Sequence, residues 1–144
     1  MLRTAFGGFL LCLLGACATS PVTQGQATAV PADRLYLYQG AATPEHGSAM
    51  VTRDTGFVGN GCFLGLYVDG DLAGKFETGE TAAFQLPQGE HILGIAFPPG
   101  KGLCAFHDGE RREISAVIAP GKTKYFRLVV RPGDGPTIEP TTVR

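Results

Sequence analysis

The sequence predicts an all-β protein, an antiparallel β-sandwich of about eight strands joined mainly by hairpins. Three observations carry this. Glycine and proline are abundant, at 21 and 10 of 144 residues, and are spread along the chain as punctuation. Between them lie short runs of β-branched, aromatic and aliphatic residues that alternate with a period of two. No segment carries the i, i+3, i+4 apolar stripe of an amphipathic helix. Two half-buried sheets must cover each other's apolar faces, so a sandwich is the natural solution.

The elements follow in order. Arg34 to Gln39 reads as the first strand, with Leu35 and Leu37 on one face and Tyr36 and Tyr38 on the other. Ala49 to Arg53 is a weaker second strand, and Asp54 to Gly61 is irregular. Cys62 to Val68 is the clearest strand, with Cys62, Leu64, Leu66 and Val68 in register. Asp69-Gly70 is a strong tight-turn signal, because both residues tolerate positive φ. Valine at Gly70 is therefore expected to be costlier than valine at Ala73. Asp71 to Glu77 returns as the partner strand, and Thr78-Gly79-Glu80 turns again. Thr81 to Leu86 alternates, and Pro87-Gln88-Gly89 presets a further turn. His91 to Phe97 is apolar almost throughout, which marks a central strand. Pro98 to Gly109 is a long loop holding Cys104. Glu110 to Ile118 and Thr123 to Val130 are strands flanking a Pro120-Gly121 turn, and Thr137 to Val143 adds a short edge strand.

Ahead of these strands the pattern changes. Arg3 and the terminal amine form a positive n-region, and Thr4 to Leu14 is an apolar run of eleven residues. That is the length of a secretory signal and short of the ~20 apolar residues a spanning helix needs. The run ends in Leu14-Gly15-Ala16-Cys17, an aliphatic residue, two small residues and a cysteine. This resembles the lipobox of bacterial lipoproteins. The resemblance implies a signal peptide over residues 1–16, cleavage before Cys17, and a diacylglyceryl group on its thiol, often joined by a palmitate-type chain on the amine. Two or more chains anchor stably, at about 0.8 kcal/mol per buried methylene. Ala18, rather than Asp, follows the cysteine. By resemblance to Gram-negative lipoproteins, this implies the outer membrane, at its periplasmic face or at the cell surface.

Residues 17–33 then read as the lipidated cysteine and a flexible linker, small, polar and interrupted by Pro21 and Pro31. Such a linker spans about 20 Å as a random coil and at most about 55 Å when extended. Residues 34–144 form the single β-sandwich domain.

Cleavage removes Arg3 from the 12 basic side chains, leaving 11 against 13 acidic ones and a formal charge of −2. With no basic stripe, nucleic acid is not an expected partner. Of the four cysteines, Cys12 lies in the signal and Cys17 is the anchor, which leaves Cys62 and Cys104. An even pair in an exported domain favours a disulfide. Closing a loop of about 40 residues is worth roughly 4 kcal/mol on chain entropy. Two free thiols or a metal site are the alternatives.

Other chemistry is weaker. Cys104-Ala105-Phe106-His107 has a C-x-x-H spacing, and His91 and Cys62 complete a conceivable metal set, but no paired C-x-x-C or H-x-x-x-H accompanies it. Cys104 with His107 or His91 is equally a conceivable thiol–base pair. The three serines, at 20, 48 and 115, lie in no G-x-S-x-G elbow. Asp69 and Asp71 flank a turn without a calcium-loop series, and Gly56 to Gly61 is not followed by a helix or lysine that would make it a phosphate cradle. Glu110-Arg111-Arg112-Glu113 is a solvated charge cluster or an anion contact. The four tyrosines 36, 38, 67 and 125 fall opposite the aliphatic face, where they form a binding surface or, as the preferred reading, part of a second core layer.

Residues 62 to 130 carry a further likeness. Val68-Asp69-Gly70, Leu72-Ala73-Gly74, Leu86-Pro87-Gln88-Gly89-Glu90-His91 and Ala119-Pro120-Gly121-Lys122-Thr123 resemble the turn pattern of PEGA-like β-sandwich modules and related envelope lipoproteins. Pro87-Gln88-Gly89-Glu90 stands where those modules carry Pro-Glu-Gly-Ala. The resemblance implies an envelope role without catalysis or cofactor. The expected function is thus a lipid-anchored, non-catalytic binding or structural module whose partners are the membrane and an envelope protein or cell-wall component. The alternatives are a thiol-dependent or metal-binding periplasmic protein using Cys62, Cys104 and His107, and a small-ligand-binding lipoprotein.

Overall fold

The structure, a computed structural model, describes residues 19–100, 104 and 110–144. Cys17, the expected signal segment and His107 lie outside the described residues. Nine strands appear among the described residues: β1 (Thr28–Ala29), β2 (His46–Arg53), β3 (Leu64–Val68), β4 (Asp71–Phe76), β5 (Glu80–Pro87), β6 (Gly89–Ala96), β7 (Arg112–Ile118), β8 (Thr123–Arg131) and β9 (Gly135–Thr141). They form a five-stranded sheet, in the order β1-β5-β2-β8-β9, and a four-stranded sheet, β4-β3-β6-β7. The fold is all-β, as the residue pattern predicts.

The core lies between the sheets. Ala49, Val51, Phe84, Leu86, Phe126 and Leu128 face inward from the larger sheet, and Leu64, Leu66, Val68, Phe76, Leu93 and Ile95 from the smaller. Burying each large aliphatic or aromatic side chain contributes about 1.5–3 kcal/mol. Phe76 and Phe84 meet across the gap with ring centroids 6.2 Å apart. As expected, β6 is internal to its sheet and β9 lies on an edge.

The tight turn at Asp69-Gly70 closes a β3–β4 hairpin, with φ of 51° and 96° at the two residues. The Pro87–Gly89 turn instead carries the chain from one sheet to the other, since β5 and β6 belong to different sheets. β2, the weakest segment by composition, is central, antiparallel to β5 and parallel to β8. Its small residues have a reason. A Cβ on Gly47 would clash with the Ala119 carbonyl oxygen, so only glycine lets the turn between β7 and β8 pack here.

Three expectations are corrected. Arg34 to Gln39 is not a strand. A 3-10 turn over Ala32–Arg34 leads to one bridge, Leu35 to Gly74, after which the Tyr36 and Leu37 amides both bond the Ala73 carbonyl. Tyr38 then adopts a φ of 60°, which breaks the extended path. The segment caps the rim of β4, and its short alternation reflects only that Leu35 and Tyr38 pack against the core.

The described part of the expected linker is docked. Ser20 pairs with Thr55, Thr28 and Ala29 run parallel to β5, and Val30 is buried. The Gln24 side chain bonds the hydroxyls of Thr52 and Thr81. Backbone pairing with an open strand rim holds it, which composition does not reveal.

Nor do the tyrosines build a second core layer. Tyr36, Tyr67 and Tyr125 lie at the surface against Lys75, Arg111 and Arg144, and only Tyr38 packs on the core.

Ala73 is fully buried, so valine there would overpack the core, and exposed Asp71 is the appropriate comparison for Gly70. Gly70→Val is expected to lower the free energy of unfolding by about 1–3 kcal/mol. Asp71→Val should change it by no more than about 0.5 kcal/mol. Urea denaturation of the two variants checks both.

Candidate functional site at the disulfide end

Alternation along β2 sends Ala49, Val51 and then Arg53 inward. Arg53 is the largest side chain with less than 2 % exposure and has no carboxylate within ion-pair distance among the described residues. Its guanidinium donates instead to three backbone carbonyls, those of Gly59 at 2.7 Å, Cys62 at 2.6 Å and Phe76 at 2.8 Å. Burial lowers its pKa to about 10, and the more distant Glu80 and Glu77 oppose that shift. It therefore keeps its charge at neutral pH and pins the loop between β2 and β3 to the end of β4.

A covalent tie reinforces this pin. Cys62 and Cys104 form a disulfide, with sulfurs 2.09 Å apart and Cα atoms 5.6 Å apart. Cys62 is thus held twice, through its sulfur and through its carbonyl oxygen. Both sulfurs are consumed by the bond, so neither is a free nucleophile or thiolate ligand in this state.

Two further ion pairs stand beside Arg53. Arg34 donates to both oxygens of Glu80, at 2.8 and 2.5 Å, and Glu80 also accepts the Glu77 amide at 2.6 Å. The hydrogen bond to Glu80 holds the Arg34 pKa above its ordinary value. Asp54, with no exposed side chain, accepts from Arg127. Burial raises the Asp54 pKa, and the Arg127 guanidinium offsets that only in part.

The surface over this framework is apolar. Phe57 is 81 % exposed and Phe63 is 38 % exposed. The Arg34 guanidinium lies 5.0 Å from the Phe63 ring centroid. A cleft of about 260 Å³ opens beside the disulfide, walled by Phe63, Phe97, Pro98 and Pro99 with Lys75 at its side.

The remaining residues singled out by the sequence disperse. His91 is buried on β6, with Nδ1 2.7 Å from the Asp69 carboxylate and Nε2 2.9 Å from the Pro87 carbonyl oxygen. Both ring nitrogens face acceptors, which favours the imidazolium. Burial works to lower its pKa, but those two acceptors raise it above the ordinary value. Asp69 is correspondingly depressed. Burial opposes this, but the His91 ring and the Ile92 amide outweigh it. His91 is thus a clamp between the Asp69-Gly70 turn and the sheet crossing at Pro87. In the charge cluster, Arg111 pairs with Glu113 at 2.8 Å and lies over Tyr67. Among the described residues no three His, Cys, Asp or Glu side chains converge as metal ligands would.

Arg53 and the exposed Phe57 were not singled out from the sequence. The available signal for Arg53 was an arginine in the inward register of Ala49 and Val51.

Comparison of the chain with protein-family models, with curated proteins and with solved structures finds no match. The class of protein therefore rests on the residues themselves.

Two outcomes follow from this geometry. Arg53→Met should cost about 3 kcal/mol or more in denaturant unfolding, since two buried carbonyls and one half-buried one lose their donor, and Arg53→Lys should recover less than half of that. For His91 the raised pKa fixes the sign. Its contribution is full below the unfolded value of about 6.5 and fades as pH rises through the higher folded value. The depressed Asp69 contributes above its unfolded value of about 3.8 and is lost as pH falls through its lower folded value. The pair should be worth on the order of 1 kcal/mol, given the exposure of Asp69. Unfolding free energies at pH 5.5 and 8.5 should show that decline for the native chain, and His91→Gln should abolish it.

Proposed function

We propose that this chain is a lipid-anchored, non-catalytic module of the bacterial cell envelope that binds or braces another envelope component. The observation that carries the reading is the commitment of its reactive groups to structure. The two mature-domain cysteines of the sequence are joined to each other, both nitrogens of His91 are engaged, and Arg53 is spent on backbone carbonyls. A disulfide agrees with export to an oxidising compartment. Leu14-Gly15-Ala16-Cys17 supplies the anchor, and Ala18 favours the outer membrane. The likeness of the turn pattern to PEGA-like modules points the same way.

A cleft of about 260 Å³ falls below the roughly 300–1,000 Å³ of sites that enclose a small molecule. That favours an envelope protein or a cell-wall polymer as partner over a free ligand. The outer sheet faces offer arginine-covered tyrosines for such contacts, Tyr67 under Arg111 and Tyr125 under Arg144.

Cys17→Ala should abolish incorporation of labelled palmitate and move the protein from the membrane to the soluble fraction. An unchanged distribution would remove the anchor from this reading. In the same cells, the double variant Cys62→Ser/Cys104→Ser, assayed at a temperature where it stays folded, should retain the native pattern of chemical crosslinks to envelope components. Its loss there would favour a thiol-dependent protein.

A further inference from the structure

We infer that the loop from Thr55 to Gly61 seats on the lipid surface and that the Phe57 ring enters the interfacial layer of the bilayer. This rests on the anchor proposed at Cys17 and adds an orientation and a second point of attachment. Four observations carry it.

The first is proximity. A Cβ on Gly56 would lie 3.1 Å from the Thr19 Cγ2 and 3.4 Å from its Cα, so Thr19 packs directly on the residue before Phe57. Ser20 is then fixed to Thr55 by two backbone hydrogen bonds, at 2.8 and 3.1 Å. Covalent geometry places Cys17 within about 7 Å of Thr19, as two residues span no more. An acylated Cys17 brings its acyl chains, and the bilayer that holds them, to this end of the sandwich.

The second is exposure. Among the described residues Phe57 is the most exposed large apolar side chain, at 81 %. Leaving a phenylalanine in water forgoes up to about 1.5–3 kcal/mol of burial. The bilayer interface is an environment that recovers it.

Charge is the third. Residues 55–61 read Thr-Gly-Phe-Val-Gly-Asn-Gly, and residues 19–30 of the docked segment likewise hold no ionisable side chain. The charged residues just before the loop, Arg53 and Asp54, are turned inward and are 2 % and 3 % exposed. Headgroup contact therefore strips water from no charge on this loop, a cost that a solvated lysine or glutamate would incur.

The fourth is rigidity. Arg53 holds the Gly59 and Cys62 carbonyls, the Asn60 amide bonds the Phe57 carbonyl at 3.2 Å, and the disulfide fixes Cys62. The ring is presented by a framed loop, so little ordering entropy is lost when it inserts.

The chain contains no tryptophan, so Phe57→Trp introduces a single reporter. The full acylated chain would be reconstituted into phosphatidylcholine vesicles with and without lipids brominated along the acyl chain. Val117→Trp, at a site 63 % exposed on β7, is the comparison. We expect bromine to quench the indole of Phe57→Trp at least about threefold more than that of Val117→Trp. We also expect the quenching to persist in 0.5 M salt and with 30 % anionic lipid, since no charge takes part. Equal or absent quenching in vesicles that carry the chain would overturn the seating of Phe57 and leave the anchor intact. A chain that fails to float with the vesicles would overturn the anchor and the seating with it. Quenching that vanishes in salt would replace an apolar contact by an electrostatic one and also overturn the proposal.

Discussion

A guanidinium with three carbonyl partners and, among the described residues, no carboxylate sits at the point where the two sheets of this protein meet the loop between β2 and β3. Arg53 belongs to β2 in one sheet, while the Phe76 carbonyl belongs to β4 in the other and the Gly59 and Cys62 carbonyls to the connection between β2 and β3. Strand ends and irregular backbone inside a protein carry polar groups that a purely apolar core would orphan. One planar side chain with five donors satisfies three of them at once. Burying its charge is costly, as the lowered pKa of about 10 records, yet removing it would expose the fold to a larger penalty. The disulfide holds Cys62 from the other side, so the loop is fixed by one covalent bond and by two of the three Arg53 hydrogen bonds, the third tying the arginine to β4.

The same economy appears at the sheet rims. A free strand edge invites pairing with other chains. The rim of β4 is taken up by the Leu35–Leu37 segment and by the Arg34 side chain on the Lys75 carbonyl. The rim of β5 is covered first by Thr28 and Ala29 and then by Tyr38 and Gln39, which bond Gln85 and Ala83. On β9, Pro136 and Pro140 remove donors outright. Residues that read as linker and as a first strand thus work as edging.

What could be read in advance was local. Asp69-Gly70 carries its own φ preference, and the β3–β4 hairpin follows from neighbours in sequence. The alternation of Leu64, Leu66 and Val68 needs only a period of two. Pairings between distant segments were not legible. Nothing in His46–Arg53 announces that it runs parallel to Thr123–Arg131, because that register is set by the packing of whole sheets. Thr28–Ala29 is too short to show a period, and Tyr38 at positive φ defeats an alternation that composition supports. At the site, Cys62 and Cys104 follow from counting the cysteines left once Cys12 and Cys17 are assigned to the expected signal and anchor. Arg53 escaped because an arginine at a strand end ordinarily reaches solvent, and its inward register becomes informative only once β2 is known to be central.

The docked N-terminal segment changes the mechanical meaning of the proposed anchor. A free linker of sixteen residues would let the domain tumble about 20 Å from the bilayer. Instead Val30 is buried, Thr28 and Val30 bond into β5, and Ser20 pairs with Thr55. Burial of Val30 alone contributes about 1.5 kcal/mol or more, and each backbone bond about 1 kcal/mol. Detaching the segment forfeits all of these together and reopens the β5 rim. The mount and the edge cover are therefore one element. With only Ala18 between Cys17 and Thr19, an acylated Cys17 would have the domain's orientation set by the fold rather than by the length of a tether. The outer faces of both sheets carry Tyr67 and Tyr125 under their arginines, and in the proposed anchoring they would be open to a partner approaching from the side.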